Sequence, residues 1–394
     1  MKKKSIWKNE GIQSFIASII CILLGLLIGF IVLLFINAKG APEAMLRIIQ
    51  NFFKWNRSEK QIESLGSTLV KTAPLLMCSL SILFSYKAGL FNIGVAGQYV
   101  VGACAALFGA YELHWNWVGC IILAAVAGSL WGAISGFLKA YCNVNEVISG
   151  IMLNWIALYS TNMILTRYVV SGRKDTPELA NNPDYADAII PNIGLNKLFN
   201  NNRYVGLGII IALVFAFAVW ILLSKTKFGY ELKATGYNKN AAKYAGMAEK
   251  RNVVITLGIG GLIAGIGASL LFLTDFTPWD INQTSVPAMG FNGIAAAFLG
   301  GLNPIGSIFS SFFIQHITDG GVNVDLTMYC AQISDLISAI IIYLCSFTGL
   351  IKYLLKSGIL RKKDLTETNA NAEESVKADV KEPENKAVKG GKRK

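Results

Sequence analysis

KTKFGYELKATGYNKNAAKYAGMAEKR, residues Lys225 to Arg251, separates two blocks of long apolar runs. It is too long for a tight turn, too basic to lie in hydrocarbon, and patterned like a short amphipathic helix. Apolar runs long enough to cross a bilayer on both sides make the chain a multi-span membrane protein. The polar interruption is then a cytoplasmic surface on which a soluble partner can act.

The composition agrees. Of 394 residues, 53% are hydrophobic and only 15% charged, where a soluble chain carries charge on about a quarter of its residues. The net charge of +12 gathers in Met1–Lys8, in the central segment and beyond Lys352. Basic residues beside span ends are retained on the cytoplasmic side, so this excess is a topology signal and not a nucleic-acid footprint.

Working outward, the chain reads as an all-α, polytopic membrane protein with about ten crossings and both termini cytoplasmic. Residues 1–13 form the cytoplasmic N-terminus, 14–350 the transmembrane domain with its polar loop at 225–251, and 351–394 a disordered basic tail. Spans are expected at Ser14–Asn37 (uncleaved), Gly66–Tyr86 with a kink at Pro74, Ile93–Tyr111, Asn116–Leu138, Val147–Val169, Tyr204–Ser224, Asn252–Leu273 and Tyr329–Leu350. Phe291–Gly301 and Pro304–Ile317 are two short helices joined by a Gly/Asn/Pro break. Ala38–Leu65 is expected as a polar loop whose amphipathic middle forms a helix on the outer surface, although its basic residues count against that side. Ser171–Arg203 and Thr274–Gly290 are expected as outer loops.

Gly128, Gly132 and Gly136 lie on one helical stripe and mark a tight helix–helix face. The glycines of Asn252–Leu273 are not a dinucleotide fingerprint: the spacing fails and no strand precedes them. Asn92, Gln98 and Asn154 with Trp155 are polar or amphipathic groups in or beside spans, costly there unless they pack or line a pathway. The seven cysteines show no CxxC and fall mostly in apolar runs; they and the two separated histidines suggest neither disulfides nor a metal site. No phosphate loop and no catalytic constellation occurs, so an enzyme is not indicated and no cofactor is called for. Acidic residues within spans are nearly missing, Asp335 being the main exception, which weakens an ion-coupled carrier.

Four motifs occur in order: Gly89-Leu-Phe-Asn-Ile-Gly-Val-Ala-Gly-Gln98; Asn145-Glu-Val-Ile-Ser-Gly-Ile-Met-Leu-Asn154; Gly229-Tyr-Glu-Leu-Lys-Ala-Thr-Gly236 with Asn240-Ala-Ala-Lys-Tyr-Ala-Gly246; and Gly290-Phe-Asn-Gly-Ile-Ala-Ala-Ala-Phe-Leu-Gly300 with Asn303-Pro304. From about Leu65 to Lys352 the chain resembles the permease subunit of bacterial ABC importers of the branched-chain amino acid, ribose and nucleoside type. It looks most like the larger nucleoside-importer permease.

The resemblance implies a cytoplasmic ATPase that supplies the energy, a second permease subunit (a different chain in nucleoside systems) and an extracellular lipoprotein that delivers the solute. The family's coupling helix falls on Thr235–Met247, with Gly236, Tyr237, Asn240, Ala241, Ala242, Lys243, Tyr244 and Gly246 meeting the ATPase. Gly236 is expected to provide the turn before it. The pathway candidates are Asn92, Gln98, Asn154, Trp155, Phe291 and Asn292; aromatic faces there, including Phe91 and Trp279, would suit a purine or pyrimidine ring. The family often has an Arg or an acidic residue where this chain has Lys233 or Asn292, and the uncharged Asn292 speaks against an electrostatic role there. Import of a monosaccharide such as ribose, import of a branched-chain amino acid, and a partner-independent channel or secondary carrier are the alternative readings.

Overall fold

The computed structural model describes residues 10–169 and 172–325, with short runs of one to three residues from 327 to 354. The chain divides into two units, Met1–Ile19 with Phe347–Lys394, and Ile20–Ser346. In the first, residues 10–19 are helical, and Ile351 N–H donates to Phe347 O at 2.9 Å. The expected span 329–350 lies mostly outside the described residues, as do Asp335, Cys330, Cys345, residues 1–9 and the chain from 355.

The described part is all-helical and polytopic. Its α-helices are α1 (Glu10–Ile36), α2 (Ala41–Gln50), α3 (Ser58–Lys87), α4 (Val95–Tyr111), α5 (Trp117–Cys142), α6 (Glu146–Leu165), α7 (Leu195–Leu198), α8 (Leu207–Lys225), α9 (Lys227–Tyr237), α10 (Lys239–Tyr244), α11 (Glu249–Phe272), α12 (Ala288–Leu299) and α13 (Pro304–Gly321). Among the described residues six helices, α1, α3, α5, α6, α8 and α11, are long and apolar enough to cross a membrane; α4 and α12 are shorter apolar helices. The helix expected within 38–65 is α2, followed by a 3-10 turn at Asn51–Lys54.

Burial separates centre from periphery. The apolar windows of α3 and α11 are 83% and 78% buried, against 28% for α5 and α8. A helix that is apolar all round and buried is a core helix, while one that keeps exposed Leu, Ile and Phe faces lipid or another subunit. Helix α3 begins at Ser58, well before the expected Gly66, because SEKQIESL is polar yet helix-forming. It continues through Pro74 without ending.

The α5–α11 contact is backbone on backbone. A Cβ on Gly128 would run into Gly261 O, and one on Gly132 into Leu257 O; conversely, one on Gly261 would meet Gly128 O and one on Gly265 Ala124 O. A Cβ on Gly136 would stand 2.8 Å from Val254 Cα. Small residues on one stripe let the axes approach to this degree, as expected from their spacing.

The α12–α13 break forms as its residues dictate. Gly301 and Leu302 have φ of +66° and +53°, a region glycine enters freely. Asn303 then caps α13, its Oδ1 accepting from Ile305 N–H at 3.0 Å, with Pro304 in the first turn. Ser310 Oγ donates to Ala296 O at 2.5 Å and ties the two helices together.

The polar segments after α6 and α11 are joined. Thr176 N–H donates to Trp279 O at 2.9 Å and Ile281 N–H to Lys174 O at 3.0 Å, forming an isolated antiparallel bridge at Asp175 and Asp280. Trp279 is fully buried beneath them, its Nε1–H donating to Asn162 Oδ1 at 2.9 Å. It is therefore a packing anchor for these loops and not the ring-stacking surface its position suggested. Asp275 stands at φ +60° and accepts from the backbone N–H groups of Leu179 (2.9 Å) and Ala180 (3.3 Å).

Candidate functional site

The polar segment between α8 and α11 folds as two helices. Thr226 caps α9, its Oγ1 accepting from Gly229 N–H at 3.0 Å. Asn238 leaves the helical region at φ −155° and ψ 104° and caps α10, its Oδ1 accepting from Ala241 N–H at 3.0 Å. Gly246, at φ +79°, closes α10. Its N–H donates to Lys243 O and that of Met247 to Ala242 O, both at 3.0 Å, the paired bonds of a Schellman motif.

Two expectations change here. The helix is Lys239–Tyr244, shorter than Thr235–Met247. The turn belongs to Asn238, and Gly236 lies in the last turn of α9. Its role is close approach: a Cβ would stand 2.7 Å from Lys87 O and Ala88 C and 2.8 Å from Gly89 N. Tyr237 and Tyr244 are 93% and 94% exposed, and Asn240, Ala241, Lys243 and Gly246 are exposed beside them. Ala242 faces inward at 3% exposure, so the small-sided outer face consists of Ala241, Ala245 and Gly246.

Gly236 rests on the segment Ala88–Gly94, which links α3 to α4 and explains each glycine of its motif. Gly89 has φ +73° and meets the Gly236 backbone; Gly94 meets Gly150 of α6, where a Cβ would be 2.8 Å from Gly94 N. Gly97 lies under Asn154, with a Cβ 2.7 Å from its Oδ1. Any larger residue would push a neighbouring backbone away.

The polar residues of the motif are consumed in the same place. Asn92 and Gln98, 3% and 1% exposed, pair as two amides: Asn92 Nδ2 donates to Gln98 Oε1 at 3.0 Å and Gln98 Nε2 to Asn92 Oδ1 at 3.1 Å. Asn92 Nδ2 also lies 3.4 Å from Ser81 Oγ. Asn154 reaches across from α6, accepting from Gly97 N–H at 2.7 Å and donating to Ile93 O at 3.1 Å. The first N–H groups of a helix have no partner within it, and Gly94 provides no side chain, so Asn154 caps α4 from another helix.

Trp155, Phe291 and Asn292 are placed differently. Trp155 is 40% exposed and stacks on Tyr159 at 6.0 Å. Phe291 is 39% exposed in the first turn of α12, and Asn292, the residue after it, is half-buried. That turn abuts α4, since a Cβ on Gly290 would fall 2.6 Å from Ala96 Cβ. The network thus runs from α9 through Gly236 and the Ala88–Gly94 segment to the N-terminus of α4, and from there to α6 and α12. Gly150 takes part although composition alone marks it only as small. The Lys139–Glu146 ion pair, at 2.8 Å, holds the α5–α6 connection nearby in sequence.

Among the described residues no three His, Cys, Asp or Glu side chains gather into a set that could hold a metal. Cys21, Cys78, Cys104 and Cys120 are buried, while Cys142 is exposed.

Comparison with known proteins bears on this arrangement. The family described as branched-chain amino acid transport system / permease component matches residues 64–346. A guanosine ABC transporter permease protein of Bacillus subtilis is 30% identical over 90% of this chain and 99% of its own length. A nucleoside ABC transporter permease protein of Lactococcus lactis is 28% identical, over 80% of this chain and 86% of its own. A glucose ABC transporter permease protein of Haloferax volcanii is 27% identical, over 71% and 74%. No solved structure matches the chain.

Proposed function

Since the chain belongs to the branched-chain amino acid transport system / permease component family, and is thus the non-catalytic membrane subunit of an ABC importer, we propose that its cargo is a nucleoside. The observation that carries this reading is the similarity to the guanosine permease over nearly the full length of both chains. The glucose permease relative supports a second reading, the same architecture importing a monosaccharide.

In the proposed arrangement about ten spans cross the membrane, with both termini cytoplasmic. The α9–α10 segment then meets a separate cytoplasmic ATPase, which an importer of this family requires. Tyr237 and Tyr244, large and almost fully exposed, suit interface anchors, since aromatic side chains dominate such contacts. Asn240, Ala241, Lys243 and Gly246 surround them, and Ala242 and Gly236 hold the segment to the bundle. A second permease, a different chain by the resemblance to nucleoside systems, completes the pathway, and an extracellular lipoprotein delivers the solute.

For the pathway we take Trp155, Phe291 and Asn292 as the solute-facing residues. Purine and pyrimidine rings stack on aromatic faces, and these side chains remain partly exposed. Asn92, Gln98 and Asn154 position the helices behind them, because their amides are already paired. Uptake of labelled guanosine by the assembled importer, competed by unlabelled adenosine, ribose, glucose and leucine, tests the cargo. Competition by adenosine alone is expected; displacement by glucose or ribose and not by nucleosides would sink the nucleoside reading and favour the monosaccharide.

A further inference from the structure

Lys139, Lys239 and Lys250 line one cavity of about 340 Å³ at the end of the bundle that carries α9 and α10. Three separate elements bring them there. Lys139 and Tyr141 come from the last turn of α5, Lys239 is the first residue of α10, and Glu249 and Lys250 open α11. Asn143, at φ +53°, turns the chain out of α5 and lines the same wall.

The charges in this cavity do not cancel. Lys139 is paired with Glu146 at 2.8 Å, and Lys239 is only loosely paired with Glu249 at 3.9 Å. The Lys250 ammonium lies 5.2 Å from the Tyr141 ring centroid, a cation–π contact that orients the charge without neutralising it. The volume is within the range of about 300–1,000 Å³ found for small-ligand sites. An anionic group would gain charge-assisted hydrogen bonds from several ammonium groups at once.

A second feature identifies the kind of anion. Leu130, Ile134, Phe137 and Tyr141 form an exposed stripe along α5, 63%, 43%, 53% and 55% exposed. Their spacing of four, three and four residues keeps them on one face, and Phe137 and Tyr141 stack at 5.0 Å. The stripe leads along a membrane-crossing helix to the rim of the cavity, as an amphiphile with an anionic head and an apolar tail requires. A free anion has no use for it.

We propose that this cavity seats the headgroup phosphate of an anionic phospholipid, with an acyl chain laid along the Leu130–Tyr141 stripe. Basic pockets between membrane helices recognise such headgroups by charge. Because Lys239 opens α10, the bound lipid would tie the α9–α10 segment to the ends of α5 and α11. The site depends on neither the ATPase nor the cargo.

The test uses the full chain purified in a neutral detergent, with thermal unfolding followed as phosphatidylglycerol, phosphatidylcholine or sodium phosphate is added. Phosphatidylglycerol is expected to raise Tm at concentrations where phosphatidylcholine does not. Lys250→Gln should raise its half-saturating concentration about fivefold and the Lys239→Gln/Lys250→Gln pair about thirtyfold, at about one kcal/mol per basic residue near a charged lipid surface. Lys197→Gln, in a short helix elsewhere, should change nothing. Native mass spectrometry of retained lipid supplies the same comparison if a variant lowers the starting Tm. Equal responses to both lipids, or an undiminished response in the double variant, would overturn the proposal. A shift reproduced by sodium phosphate alone would overturn the lipid assignment. Uptake does not enter these measurements, so their failure leaves the transport reading standing.

Discussion

Gly236→Ala probes the joint between the α9–α10 segment and the rest of the bundle. The new methyl would stand 2.7 Å from Lys87 O and Ala88 C and 2.8 Å from Gly89 N. Comfortable contact between carbon atoms begins near 3.5 Å, so α9 must withdraw by roughly 0.8 Å. The obstructing atoms are backbone, and no side chain can rotate aside. Overpacking of this sort costs about 1–3 kcal/mol, while replacing glycine by alanine inside a helix returns about 0.5–1 kcal/mol. The net is a loss of about 1 kcal/mol, or ~1 °C in Tm for a chain of this size. Uptake should fall further, by roughly twofold to thirtyfold, the range set by coupling terms of about 0.5–2 kcal/mol. The assay is nucleoside uptake by the assembled importer beside ATP hydrolysis by the same preparation, with hydrolysis persisting as uptake falls. Gly89→Ala should act on the same joint, and the double substitution should cost less than the two single ones together. Parent-level uptake by Gly236→Ala, or simple additivity of the pair, would refute the reasoning.

Asn154→Ala leaves the buried Gly97 N–H and Ile93 O without their partner, and unfolding in detergent should show a loss of about 2–4 kcal/mol. Gly132→Ala drives a methyl into Leu257 O and should sharply lower the yield of folded protein, whereas Gly258→Ala, whose nearest neighbours lie 3.6 Å away, should be neutral or gain about 0.5–1 kcal/mol; equal behaviour of the two would contradict the α5–α11 packing. Burial holds the Asp275 carboxyl above the usual aspartate range; the Leu179 and Ala180 N–H groups and the Arg203 charge oppose the rise, and the Glu178 charge adds to it. A raised folded-state pKa means that the folded chain binds the proton more tightly. Its contribution to stability is full below the unfolded pKa and is lost as pH rises through the folded one. Tm of the parent should therefore fall over that window relative to Asp275→Asn, and parallel profiles would rule this out.

Much of this architecture is legible in the residues. Spans such as Leu207–Lys225 announce themselves because about twenty apolar residues have no other stable use, and the Gly128–Gly136 stripe reads directly as a contact surface. Asn303 and Pro304 likewise mark the start of α13. Other features depend on partners distant in the chain. Gly236 looks like a turn residue, since local pattern cannot reveal that Ala88 and Gly89 press against it. Asn92, Gln98 and Asn154 look like pathway polar groups until each is seen to spend its amide on another. Trp279 looks interfacial because nothing nearby in sequence shows that Thr176 and Asn162 enclose it. Hydropathy also clips α3 at its polar N-terminal turns, where helix propensity and burial part company.

The glycine seam between α5 and α11 constrains how any solute can be moved. Most helix pairs meet through side chains, and a side chain can change rotamer and let its helix slide by a fraction of a turn. Here carbonyl oxygens press against glycine α-hydrogens, the geometry of weak C–H···O contacts, and there is no rotamer to change. The two helices therefore behave as one stiff plate. On the coupling proposed at Gly236, a displacement entering there would move this plate as a unit, and any rearrangement would fall on its side-chain contacts with the other helices.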